Sequence, residues 1–122
     1  LSLRILIADD EKDNADSYAE ILRQRGHQVV VTFSGVDCIT EYLSAFDYEQ
    51  NSPYDVVIID YSMPDMSGVQ AARKMLDMNP KQQIIFISGY GSELLSHLDA
   101  FHNVDLLTKP IIPNALIRLV ED

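Results

Sequence analysis

Five polar side chains close apolar runs in this 122-residue chain: Asp9 and Asp10 after residues 3–8, Asp60 after 56–59, Ser88 after 83–87, and Lys109 shortly after 104–107. If they share one place, their chemistry is constrained. Three neighbouring carboxylates either raise each other's pKa or recruit a cation. A small hard divalent ion suits oxygen donors, and Mg²⁺ uses one or two carboxylates together with waters and phosphate oxygens. Lys109 adds a fixed second positive charge. Two cations facing one carboxylate point to an arriving anion, most simply a phosphoryl group. Asp60 would then act as a carboxylate nucleophile and form an aspartyl phosphate. Mg²⁺ and Lys109 would stabilise charge on the transferring oxygens, and Ser88 would donate a hydrogen bond to the bound group.

These residues meet only if the runs that carry them are parallel strands. Val56-Val57-Ile58-Ile59-Asp60 is short, β-branched and apolar, the pattern of a strand buried on both faces. Residues 14–25 place Ala15, Tyr18, Ala19 and Leu22 on one helical face with Ile21 beside them. Asp10 or a neighbour stands near the N-cap, and Gly26 is the stop. A valine-rich strand over 28–33 turns at Ser34-Gly35 into a helix over 36–46, with Ile39, Tyr42, Leu43 and Phe46 inward. Residues 47–53 are a polar loop or an extended helix end. A helix over 68–78 carries Val69, Ala72, Met75 and Leu76 and stops at Asn79-Pro80. The fourth strand spans 83–87. Ser92 caps a helix with Leu94, Leu95 and Leu98. The fifth strand spans 104–107, and Pro113 begins a last helix with Leu116, Ile117 and Val120 inward. Five β–α repeats imply a parallel sheet covered on both faces by right-handed crossovers. All strand carboxyl ends then lie along one edge, where open α/β sheets bind their ligands.

The totals narrow the function classes. Length suits a single domain over 1–122 with a real core, and 47% hydrophobic residues exclude a disordered tail. Nine basic against nineteen acidic residues give a net charge of −10. That balance argues against nucleic acid and against an anionic membrane surface. No apolar run is long enough for a membrane span, and no signal-peptide pattern opens the chain. The single cysteine, Cys38, cannot form an internal disulfide, which fits a reducing cytoplasm.

The constellation Asp9-Asp10, Asp60 with Met63-Pro64 and Gly68, Ser88-Gly89 and Lys109-Pro110 resembles the receiver domain of two-component response regulators. The resemblance covers nearly the whole chain, each piece falling at the end of its own expected strand. It implies a flavodoxin-like doubly wound (βα)5 fold, a five-stranded parallel sheet of order 2-1-3-4-5. It implies that Asp60 accepts a phosphoryl group from a phosphohistidine on a sensor histidine kinase or histidine phosphotransfer protein. It further implies Mg²⁺ held by Asp9, Asp10, Asp60 and the backbone carbonyl of Ser62, a switch hydroxyl at Ser88, and a cis bond between Lys109 and Pro110. Catalysis would be limited to self-phosphorylation and autodephosphorylation. The output would pass to an effector domain in the same, longer chain, to a partner, or to a homodimer. Two departures stand out. Leu106 occupies a position that is commonly aromatic in the family, and the stretch from Gly35 to Asp60 is several residues longer than usual.

Other residues carry blander readings. Glu11 reads as an exposed first-turn acid. His27, His97 and His102 read as surface or loop histidines without a metal cluster. Met75 and Met78 read as packing, and Cys38 as a small helix residue without redox work. Leu106 motivates an alternative, a receiver that binds partners independently of phosphorylation. A phosphohydrolase would want a second acid two residues after the nucleophile, where this chain has Ser62. A flavin-binding protein would want a Ser-, Thr- or Gly-rich loop after strand one, where it has Asp-Asp-Glu-Lys.

Overall fold

Alternation along β-branched strands builds the centre of the molecule. In the computed structural model, which describes residues 1–46, 53–89, 101 and 103–122, β3 (Val56–Asp60) is buried at every position. β1 (Arg4–Ala8) and β4 (Gln83–Ser88) flank it, while β2 (Gln28–Thr32) and β5 (Val104–Thr108) form the edges. The sheet has order β2-β1-β3-β4-β5, and all four pairings are parallel.

Successive side chains of a strand face opposite sides, so the sheet feeds two cores. Leu6, Ala8, Val57, Ile59, Ile84 and Phe86 pack on one side against α2 (Gly35–Ala45) and α3 (Gly68–Met78). Ile5, Ile7, Val56, Ile58, Ile85 and Ile87 pack on the other against α1 (Lys12–Gln24) and α4 (Pro113–Glu121). Each of the Val, Leu, Ile and Phe side chains among them, fully buried, stabilises the fold by about 1.5–3 kcal/mol relative to exposure.

Local sequence explains the helix ends. Gly26 adopts φ 93° after α1. Its N–H donates to the carbonyl of Arg23 at 2.9 Å, and that of His27 to Leu22 at 3.3 Å. This is the double closure that a left-handed glycine permits. The N-cap of α1 is Glu11, the neighbour of Asp10, as expected, and it makes no side-chain cap bond. Ser34 caps α2, and Ser67 with Gln70 closes a reciprocal capping box on α3.

The bounds of β3 and α3 are those expected. β4 and β5 each continue one residue further, to Ser88 and Thr108. Two burial expectations need correction. Leu43 is 51% exposed. The inward stripe of α2 runs from Gly35 through Cys38 to Tyr42, in steps of three and four that leave Leu43 on the flank. His27 lies in a loop but is buried, because its ring is held between the Leu3 N–H and Glu121. The helix expected from Ser92 through Leu98, the polar loop short of Pro53, His97 and His102 lie outside the described residues.

Candidate functional site

The carboxyl ends of β1, β3, β4 and β5 assemble the site. Asp60 is the last residue of β3 and is buried. Each of its carboxylate oxygens has a donor. The Ser62 N–H donates to Oδ1 at 3.1 Å, and the Lys109 ammonium donates to Oδ2 at 3.2 Å. Parallel pairing puts Ile87 opposite Asp60 and Thr108 opposite Ser88, so the neighbouring strands end level with the acid. Ser88 is buried, and its carbonyl accepts the Lys109 N–H at 2.8 Å. This bond holds the start of the β5–α4 connection, where the Lys109–Pro110 bond is cis.

Asp9 and Asp10 follow β1. Oxygen atoms of Asp9, Asp10 and Asp60 lie within 4.8 Å of one another. Asp9 is buried and Asp10 exposed. Asp9 Oδ1 accepts the Glu11 N–H at 2.9 Å, whereas its Oδ2 is, among the described residues, a buried oxygen without a hydrogen-bond partner. Burial, with the nearby charge of Asp60, pushes the Asp9 carboxyl up to about 7 against the Glu11 bond and Lys109. Partial burial disfavours charge on Lys109, but the attraction of Asp60 and the hydrogen bond to it prevail, and the ammonium is held above its ordinary range. Tyr18 of α1 also feels the cluster. Burial first, then the charges of Asp9 and Asp60, raise its phenol to about 12. Three convergent carboxylates, one with an orphaned buried oxygen, fit a hard divalent cation such as Mg²⁺.

Every residue expected at the site from the sequence lies along this one edge. What sequence reasoning missed is the support beneath it. Asp65 lies in the turn after β3, and its carboxylate accepts from two backbone N–H groups of α2, Gly35 at 3.1 Å and Val36 at 2.9 Å. No sequence signal marks it: the close approach is set by Gly35, where an added Cβ would sit 2.7 Å from the Met66 Cβ and carbonyl oxygen. That contact is invisible without coordinates. Leu106 is half-buried on β5. It pairs with Phe86 of β4, whose ring meets Tyr61 edge-on at 6.4 Å and Phe101 at 6.4 Å. Aromatic contact beside Asp60 therefore runs through β4 instead of β5.

Comparison with known proteins agrees with this geometry. The family profile of the response regulator receiver domain matches residues 5–121. The response regulator receiver protein CpdR of Brucella abortus is 29% identical over 97% of this chain and 93% of its own. The response regulator SaeR of Staphylococcus epidermidis is 30% identical over 93% of this chain, which spans 46% of that protein. A response regulator receiver protein from Sinorhizobium medicae superposes with a TM-score of 0.84 at 25% identity, covering 98% of this chain and 92% of that one.

Proposed function

The chain belongs to the response regulator receiver domain family of two-component systems, and from that premise we propose that Asp60 accepts a phosphoryl group from a phosphohistidine in a Mg²⁺-dependent reaction. Receiver domains are in general non-enzymatic signalling modules that partner with histidine kinases and effector domains, and they typically bind Mg²⁺ through an acidic pocket. The observation that carries the reading is Asp60 itself. It is a buried carboxylate at the end of the central strand, 3.2 Å from the Lys109 ammonium and clustered with Asp9 and Asp10.

An Asp60 oxygen attacks phosphorus, the bond from phosphorus to the donor imidazole nitrogen breaks, and its electron pair stays on that nitrogen. Bound Mg²⁺ would supply charge neutralisation for the transferring oxygens. Asp9, Asp10, Asp60 and the Ser62 carbonyl would hold it. Lys109 supplies a second cation and a donor to a phosphoryl oxygen, and Ser88 supplies a hydroxyl donor. Water attack on phosphorus breaks its bond to the Asp60 oxygen, releases inorganic phosphate and returns the free carboxylate. The phosphoryl group draws Ser88 and its loop inward, Lys109 follows, and the surface around β5 changes its preferred partner or dimer contact. The partner on the input side is a sensor histidine kinase or histidine phosphotransfer protein, and the compartment is the cytoplasm. The single cysteine, Cys38, fits that reducing compartment.

The test is incubation with Mg²⁺ and acetyl phosphate or phosphoramidate, read by intact mass. The expected result is the gain of one phosphoryl group, lost in Asp60→Asn and on chelation of Mg²⁺. No gain, or a gain that survives Asp60→Asn, overturns the reading. Leu106 at the usual aromatic position supports a rival, a partner-binding module indifferent to phosphorylation. Unchanged partner affinity in Asp60→Asn and Lys109→Ala would favour it.

A further inference from the structure

The β3–α3 loop, residues 61–67, carries Ser62, and its two ends are pinned by their own neighbourhood. The Tyr61 N–H donates to the Ile87 carbonyl at 2.9 Å, and the Gly68 N–H to the Tyr61 carbonyl at 2.9 Å. The middle is held by a different element. Asp65 reaches the first turn of α2, where Oδ1 accepts the Gly35 N–H at 3.1 Å and Oδ2 the Val36 N–H at 2.9 Å. First-turn N–H groups have no intrahelical partner and mark the positive end of the helix dipole, so a carboxylate fits there. The helix already has a cap of its own, Ser34, whose hydroxyl accepts the Asp37 N–H at 3.0 Å. Asp65 therefore does more for the loop than for the helix.

The contact is close because of Gly35. Any Cβ at that position would come within 2.7 Å of the Met66 Cβ and carbonyl oxygen, so a larger residue would part loop from helix. The helix is in turn fixed to the sheet, with Cys38 and Tyr42 buried among Leu6, Ala8 and Val57. The Val36 N–H, and against slight desolvation the Gly35 N–H, keep the Asp65 carboxyl below its ordinary range, so the clasp stays charged at neutral pH.

We propose that Asp65 is a positioning residue: its clasp on Gly35 and Val36 fixes the β3–α3 loop, and Ser62 with it, beside the Asp9–Asp10–Asp60 cluster, and so sets the divalent-cation affinity of the site. The inference rests on the reading of that cluster as the Mg²⁺-dependent phosphoacceptor site. Outer-sphere groups that orient ligands commonly control metal affinity in this way.

The test titrates the full chain with Mg²⁺ alone by calorimetry, alongside amide hydrogen exchange at Gly35 and Val36. Asp65→Ala is expected to weaken Mg²⁺ binding about tenfold, the low end of what losing outer-sphere support costs a metal site, and to speed exchange at both amides. Asp65→Asn keeps one acceptor oxygen and should fall between wild type and Asp65→Ala. At saturating Mg²⁺ the phosphorylation rate of both variants should return close to wild type. Tyr42→Phe, which loses the 2.7 Å hydrogen bond to Gln82 further along α2, is the control for stability alone. It should lower Tm and leave Mg²⁺ affinity unchanged. Unaltered Mg²⁺ affinity in both Asp65 variants, or equal weakening in Tyr42→Phe, overturns the clasp. Wild-type protein that neither binds Mg²⁺ nor gains a phosphoryl group overturns the phosphoacceptor reading and this inference with it. Wild-type binding with unaltered Asp65 variants overturns this inference alone.

Discussion

Asp9 shows most directly how the site trades stability for chemistry. It is buried with one oxygen lacking a partner, and a buried polar atom left unpaired costs about 1–3 kcal/mol. Its charge also faces Asp60. Asparagine at this position keeps an oxygen for the Glu11 N–H and removes the repulsion. Asp9→Asn is therefore expected to stabilise the metal-free protein by about 1 kcal/mol. The wild type should gain about 2.7 kcal/mol when Mg²⁺ is present at one hundred times its Kd, and Asp9→Asn should lose most of that gain. Thermal unfolding with and without Mg²⁺ measures both effects, and an intact Mg²⁺ response in the variant would remove Asp9 from the ligand set.

At the scale of elements, the turn from β3 into α3 is set by backbone proximity. A Cβ added at Gly68 would lie 2.6 Å from the Asp60 carbonyl oxygen and 2.9 Å from the Tyr61 Cα. Both are main-chain atoms that cannot rotate away, so the start of α3 or the end of β3 must shift. Gly68→Ala is expected to destabilise the domain by about 1–3 kcal/mol, the range for overpacking, and to slow phosphorylation of Asp60 in the fraction that stays folded. Chemical denaturation and the phosphorylation assay separate the two effects. A variant with wild-type phosphorylation rate would mean that the loop accommodates the methyl without moving Asp60. The same element couples outward through Tyr61, Phe86 and Phe101, the last under the Arg73 guanidinium at 5.9 Å. That stack occupies the side of β4 that β5, with Leu106, leaves without an aromatic ring.

Across the whole molecule, the edge opposite the site is latched by Glu121 at the end of α4. Arg25 grips its carboxylate at 2.7 and 3.0 Å, and His27 Nε2 lies 2.8 Å from Oε2. The Leu3 N–H donates to His27 Nδ1 at 3.1 Å, so Nδ1 accepts and Nε2 carries the proton toward Glu121. Arg25 first, then His27, holds the Glu121 carboxyl down from 4.5 to about 2. A depressed folded-state pKa stabilises the fold above the unfolded value and ceases to do so as pH falls through the folded one. This contribution is therefore complete above pH 4.5 and lost toward pH 2. Glu121→Gln should lower stability at neutral pH and flatten that part of the acid unfolding curve, less so at high salt because the Arg25 side of the pair is solvent-exposed. An acid limb identical to wild type would show that the latch adds nothing to stability.

Much of this protein was legible in its sequence because the rules involved are local. Short continuous β-branched runs and helical apolar stripes mark strands and helices over a few residues. Alternation of the two implies parallel pairing, which carries Asp9, Asp10, Asp60, Ser88 and Lys109 to one edge without any knowledge of distances. The bounds of β3 and α3 followed from the same patterns. The tertiary structure alone decided how the three acids differ, with Asp9 buried, Asp10 exposed and Asp60 paired to Lys109. It also decided that His27 is buried, that Leu43 is not, and that Asp65 clasps Gly35 from 30 residues away. Those outcomes depend on how helices seat against a twisted sheet, and a difference of one helical step turns a buried side chain into an exposed one. Residue order constrains that seating only through the sum of all contacts, so it can be read only once the chain has folded.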